Sequence, residues 1–235
     1  MNWVGRLYRS SIGAKLVMAL TGLLLFGFVV VHLLGNLQIF AGRAAINDYG
    51  EKLRSFEPLL WVARIGLIVV ALAHVATAMR LVRLNEAARP IAYVKQASRQ
   101  VRKQTRFMWT GGLVVLAYTL FHLAHFTWGW LHPQHYHAVE KLADGRVRHD
   151  VYAMMARGFR VWWVSVAYLA AMACLALHLC HGIPSFFQTL GLDHSRYERA
   201  IERLGPAVAT LIFVGYASIP VAVLLGWVVP PGELP

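Results

Sequence analysis

The sequence predicts an all-α protein, an integral membrane bundle of five transmembrane helices, and three observations carry that prediction. The chain has 235 residues, is 58% hydrophobic and only 14% charged, and has a mean hydropathy of +0.51; the surface of a water-soluble domain needs roughly 25% charged residues. Its charges are distributed unevenly and leave five long apolar stretches. Lys plus Arg number 23 against 11 Asp plus Glu, so the net charge of +12 is crowded into the segments between those stretches, where it meets anionic headgroups or acidic partner proteins. Nucleic acid is not the expected partner.

Crossing a bilayer takes about 20 apolar residues. Lys15 to Arg43 leaves 27 uncharged positions, Arg106 to Glu140 leaves 33, Arg160 to Asp193 leaves 32 and Arg203 to Glu233 leaves 29. Only 15 separate Arg64 from Arg80, but both arginines can extend their stems to the interface. The expected helices lie near 13–37, 59–82, 107–131, 160–188 and 206–229, with Pro220 bending the last. The polar GNLQ after the first run is no cleavage site, so that run reads as a retained helix rather than a signal peptide. Residues 1–235 read as one domain, with 132–158 the only sizeable exterior loop.

Orientation follows from the basic residues. Arg6, Arg9, Lys15, Arg80, Arg83, Arg89, Lys95, Arg99, Arg102, Lys103, Arg106, Arg196, Arg199 and Arg203, 14 of the 23, fall on the side of the N-terminus. The positive-inside rule places that side in the cytoplasm and the C-terminus outside. Cys174 and Cys180 lie six apart in an apolar run, neither a CxxC pair nor a zinc knuckle, and read as packing residues.

Of the 11 histidines, His132, His135, His137, His149 and His194 fall between the runs and are expected to face water. His32, His74, His122, His125, His178 and His181 fall within them, where an ionisable side chain is costly and points to function. At about 1.5 Å per residue, His32 lies roughly 25 Å from Lys15 and His122 roughly 24 Å from Arg106, so the two share an outer layer. His74, roughly 9 Å before Arg80, and His181, roughly 10 Å before Gln188, share an inner layer. Two histidine pairs at two depths on four helices are what two stacked bis-histidine haems require, and zinc, which wants three or four ligands at one point, fits worse. Spacing leaves open His122 against His125 and His181 against His178. Leu177 excludes a CxxCH attachment, so the haems are expected to be non-covalent, haem b.

The stretches HLLGN, NEAARP, FHLAHF and HGIPSFFQTLG resemble the single-polypeptide, two-haem cytochrome b anchor of succinate:menaquinone oxidoreductases and fumarate reductases, and the resemblance spans nearly the whole chain. It implies His32 and His122 as ligands of the outer haem and His74 with His181, the histidine of HG, as ligands of the inner one. It further implies a flavoprotein subunit and an iron–sulfur subunit on the cytoplasmic face, menaquinone as substrate, a bacterial cytoplasmic membrane and an oligomer of the whole complex. An acid found near the HG histidine in some fumarate reductases is absent from Leu177-His178-Leu179-Cys180. No glycine-rich dinucleotide fingerprint or cysteine cluster is present, so dicarboxylate chemistry would belong to the partners.

Two further sites are expected. Haem propionates need cations, and Arg64 and Arg160 open the second and fourth helices at the outer face. Quinone chemistry exchanges protons with electrons, and Glu57, just before Pro58 on the outer side, is the best-placed acid; the resemblance implies an acid near this point in menaquinol oxidation. The alternatives are a cytochrome b anchor of another quinone-linked dehydrogenase, such as a hydrogenase or formate dehydrogenase, and a transporter with a histidine relay. The inverted repeats and broken helices that would favour transport are not evident.

Overall fold

The computed structural model describes residues 10–87, 99–192, 194 and 196–233, with backbone alone for 99–107. Ser10 starts the first long helix, α1 (Ser11–Asn36), by accepting a 2.9 Å hydrogen bond from the Gly13 N–H, one of the donors that a helix leaves unpaired at its start. The helix tightens into a 3-10 turn over Leu37–Ala41 and stops at Gly42, whose φ of +102° suits glycine alone among ordinary residues. The chain then turns into α2 (Arg43–Ser55) and α3 (Glu57–Ala87). α4 (Arg99–His122) ends in a π turn over Leu123–Thr127. A short α5 (Pro133–Tyr136) and a hairpin of β1 (Val139–Lys141) and β2 (Val147–His149) follow. The strands are antiparallel, with Glu140 opposite Arg148. The chain finishes with α6 (Val151–Arg160), α7 (Trp162–Thr189) and α8 (Glu198–Leu224).

The protein is thus mostly helical, and α1, α3, α4, α7 and α8 are long and apolar enough to cross a membrane. The limits expected from sequence are close, with three differences, the first being that α4 begins at Arg99, ahead of the expected 107. α3 outruns 59–82 at both ends, because charge placement marks where a helix meets water and not where its hydrogen bonding stops. α8 begins at Glu198, ahead of the expected 206, and stays helical through Pro206 and Pro220. The stretch 132–158, expected as an exterior loop, is not a plain loop. It folds into α5, the hairpin and α6, so the chain is not strictly all-α.

The long helices associate in a definite order. α1 packs along α3, α4 along α7, and α8 along α7, while α1 touches α7 and α8 more lightly. Close approach of α7 and α8 depends on Gly205, where a Cβ would stand 2.7 Å from the Cys180 carbonyl oxygen. The result is two helix pairs, α1/α3 and α4/α7, facing each other across a seam. α3 is the edge helix. It buries only Thr77 and exposes Leu59, Trp61, Val62, Ile65, Ile68, Val69 and Leu72, an apolar surface far larger than a soluble monomer leaves in water.

Burial concentrates at the end carrying the hairpin. Ile39, Ile46, Met154, Met155, Phe159, Val164, Tyr168, Ile219 and Val223 form the main core there. A smaller cluster of Leu33, Leu179, Ala209 and Ile212 joins α1, α7 and α8 further along.

A polar network caps the hairpin end. Asp150, 1% exposed, caps α6 through the Ala153 N–H at 3.0 Å. Its carboxylate also accepts from Arg43 Nε and Asn47 Nδ2, each at 2.9 Å. Asn47 donates to Glu140 at 2.8 Å and accepts from the Tyr152 N–H at 3.0 Å. Arg148 donates to Glu140 at 2.7 Å and also pairs with Asp48 and Glu51. Burial raises the Asp150 pKa, but the hydrogen bonds from Arg43, Ala153 and Asn47 outweigh it and hold the carboxyl below its usual range. Residues about a hundred positions apart are thereby tied together, which fixes α2 beneath the hairpin.

Candidate functional site

Both layers of histidine lie on the seam. His32 of α1 and His122 of α4 have ring centroids 5.7 Å apart with planes at 81°. His74 of α3 and His178 of α7 have centroids 6.4 Å apart at 65°. In neither case do the helix backbones pack closely, since α1 lies against α3 and α4 against α7. Each imidazole pair therefore bridges the gap between the two helix pairs, at two heights along the same seam.

The second pair differs from the sequence expectation. The ring facing His74 belongs to His178, whereas His181, expected opposite His74, stands on the following turn of α7 and makes no ring contact with it. A depth estimate cannot separate positions three residues apart, because they differ by only about 4.5 Å along the axis and 60° around it. In the first pair the ring facing His32 is that of His122. His125 instead stacks on Phe126 at 3.9 Å and meets His132 at 5.4 Å.

Hydrogen bonds hold three of the four facing rings. His32 Nδ1 lies 3.2 Å from the Tyr216 hydroxyl, and His122 Nδ1 lies 3.2 Å from the Tyr168 hydroxyl. His74 Nδ1 lies 3.0 Å from Thr21 Oγ1. His178 Nδ1 is buried with no hydrogen-bond partner among the described residues. Around the first pair stand Tyr118, Tyr168 and Phe126, each with its ring about 6 Å from that of His122. Around the second stand small residues. A Cβ at Gly22 would lie 3.4 Å from His74 Cε1, and one at Gly112 would lie 3.6 Å from His178 Cε1.

The residues fit a bis-imidazole metal site. An imidazole nitrogen binds a first-row transition metal at about 2.0–2.1 Å, so two imidazoles that shared one metal ion from opposite sides would have centroids roughly 6 Å apart. The separations of 5.7 and 6.4 Å bracket that value. A cofactor with its own donor atoms would need no more than two protein ligands per site, and bundles build such sites from side chains on facing helices. No group of three or more His, Cys, Asp or Glu side chains among the described residues converges as a zinc site would require.

Arg64 and Arg160 are exposed near the hairpin end. The Arg64 guanidinium lies 5.2 Å over the Trp61 ring, and Arg160 pairs with Glu233. Glu57 is exposed at the first turn of α3. Of the basic residues on the opposite side, Arg6, Arg9, Arg89 and Lys95 lie outside the described residues, as do the side chains of Arg99, Arg102, Lys103 and Arg106.

The histidines expected to face water divide. His137 and His194 do so. His132, His135 and His149 each bury a ring nitrogen that finds no partner among the described residues. His149 is held neutral, its pKa pushed down to about 4 by burial and by Arg54, because the folded exterior segment encloses it. The residues sequence missed are Thr21, Tyr168 and Tyr216, while spacing leaves His178 open against His181. Of these four only His178 carried a signal, as an ionisable group in an apolar run; a tyrosine or threonine on a buried helix has no sequence mark that separates a hydrogen-bond partner from ordinary packing.

Comparison with protein-family models, with curated proteins and with solved structures found no match.

Proposed function

We propose that this chain is the dihaem cytochrome b membrane anchor of a succinate:quinone oxidoreductase, inserted in a bacterial cytoplasmic membrane with its N-terminus inside. The observation that carries the reading is the double bridging of one seam by His32/His122 and His74/His178, each at the separation of trans imidazoles. Membrane insertion is supported by the five long apolar helices and the apolar surface of α3, and orientation by the bias of Lys and Arg.

The ligand set proposed for the inner haem is His74 with His178. It replaces the His74/His181 set implied by resemblance, because His178 is the residue whose ring faces His74. The outer set is His32 with His122. When bound, haem b supplies reversible one-electron storage between two-electron dehydrogenation and two-electron quinone chemistry. The chain itself holds four imidazoles at fixed separation and keeps water out with apolar helices. Arg64 and Arg160 are proposed to neutralise outer propionates, and Glu57 to exchange protons with menaquinone at the outer face. The dicarboxylate site and the iron–sulfur centres are assigned to two partner subunits docked on the basic cytoplasmic side.

The test is purification of the chain from its native membrane, followed by a pyridine haemochrome assay and identification of co-purifying subunits. The expected result is two haems b per chain, with a flavoprotein and an iron–sulfur protein in equal amount. A chain without haem b rejects the reading, and a dihaem chain bound to a different dehydrogenase redirects it to another quinone-linked enzyme.

A further inference from the structure

Beyond the ligands themselves, and resting on the haem assignment above, we infer that Tyr216 and Thr21 are positioning residues that fix the tautomer of one imidazole in each layer. Tyr216 has a single hydroxyl proton, and it is donated to the Val29 carbonyl oxygen at 2.7 Å. Toward His32 Nδ1, 3.2 Å away, the same oxygen can therefore only accept. The proton of neutral His32 sits on Nδ1, and its lone pair on Nε2. Asn36 Nδ2, a donor only, lies 3.2 Å from His32 Nε2, which agrees with a lone pair on Nε2; this bond has to give way before that lone pair can bind a metal.

Thr21 repeats the device at the other height. Its hydroxyl donates to the Val17 carbonyl at 2.7 Å, with Met18 O at 3.2 Å sharing the proton. The oxygen then accepts from His74 Nδ1 at 3.0 Å and leaves the His74 lone pair on Nε2. Thr21 is buried, at 8% exposure. A tyrosine of α8 acts on α1, and a threonine of α1 acts on α3. Both use a hydroxyl whose proton is already committed to a helical carbonyl.

His122 and His178 lack this control. The Tyr168 hydroxyl lies 3.2 Å from His122 Nδ1 and 3.1 Å from His125 Nδ1, so it serves two rings. His178 Nδ1 has no partner among the described residues. One imidazole per layer is thus preset to offer Nε2, and its partner across the seam is free to adapt.

A ligand whose far N–H donates to oxygen is the more basic ligand and favours the ferric state. Removing the acceptor raises the midpoint potential of the haem in that layer alone. The experiment is an optical redox titration of the purified complex, with the haem assay run alongside. Tyr216→Phe is expected to raise one potential and Thr21→Val the other. Each change is 3- to 10-fold in the ferric/ferrous equilibrium, about 30 to 60 mV at 59 mV per tenfold for one electron. Thr21→Ser keeps the hydroxyl and is expected to titrate like the wild type, a rescue that a packing role would not give. The inference is overturned if neither potential moves, if both haems shift together in one variant, or if Thr21→Ser behaves like Thr21→Val. A wild-type complex without haem b would instead overturn the function proposed above, before any variant is made.

Discussion

The layer of His32 and His122 and the layer of His74 and His178 hold the same arrangement of two facing imidazoles in opposite surroundings. The first sits beneath the hairpin end, among Tyr118, Phe126, Tyr168 and Tyr216, next to the main core. The second sits where helix α3 buries almost nothing, next to Gly22, Gly112 and Thr21. Large aromatic rings fix the first pair by contact, so that layer is preorganised by its own packing. Small residues leave room beside the second pair and let the backbone of α1 approach α3, so the group bound there would complete the packing. Two sites of one chemistry can therefore differ in how much of their order exists before the ligand arrives.

The largest expected effect tests which histidines belong to each layer. His74→Ala or His178→Ala removes one haem, His32→Ala or His122→Ala removes the other, and His181→Ala leaves both, as read by haemochrome stoichiometry and the α-band of each species. A variant of His181 that loses a haem while His178→Ala keeps both would return the inner site to the pairing implied by sequence resemblance.

Next in size is Glu57→Gln, which separates the proposed proton site from the proposed haem sites. Haem content and succinate oxidation with a soluble dye are expected to survive, while quinone-coupled turnover falls at least tenfold, in the range typical of a lost general acid–base group. Unchanged quinone turnover would move the proton exchange to another residue.

The cap above the first layer offers a third test. Asp150→Ala takes one partner each from Arg43 and Asn47, which keep Glu140, and uncaps α6, at a cost of about 2 kcal/mol. On heating, haem is expected to leave the His32/His122 layer first in this variant, whereas the small-residue layer loses it first in the wild type. The same order of release in both proteins would show that the cap does not support the layer beneath it.

The smallest effect is with pH. His149 has a folded pKa of about 4 against 6.5 for the free side chain. Its folded pKa is depressed, so the unfolded chain binds more protons between these values and stability falls as pH drops from 6.5 toward 4. Asp150 and Glu140, also held below the usual carboxylate range, lose their contribution only at lower pH, as they protonate. Thermal unfolding of His149→Phe followed between pH 7 and pH 4 is expected to show a flatter profile than the wild type. An identical profile would place the acid sensitivity elsewhere.

Hydrophobic runs and charge spacing were enough to locate the five long helices, because the constraint behind them is local: a backbone without water must satisfy its own hydrogen bonds, and a helix does so within one segment. The same reasoning puts His32 and His122 at one height and His74 at another, since rise per residue is fixed. It also marks Glu57 at a helix start, whereas Arg64, expected to open the same helix, stands two turns into α3, and Arg160, expected to open the fourth long helix, is the last residue of α6. Tertiary structure alone decided which way each ring points. His178 and His181 are equal to a depth estimate, and only the packing of α7 against α4 and α8 turns the first toward His74. Likewise the folding of 132–158 into a hairpin and helix depends on Asp150, Asn47 and Arg148 meeting partners some hundred residues away in α2. Such contacts have no period and no local pattern. The hydroxyls of Thr21 and Tyr216 belong to the same class, because a hydrogen bond between helices is set by their relative rotation, which no single segment encodes.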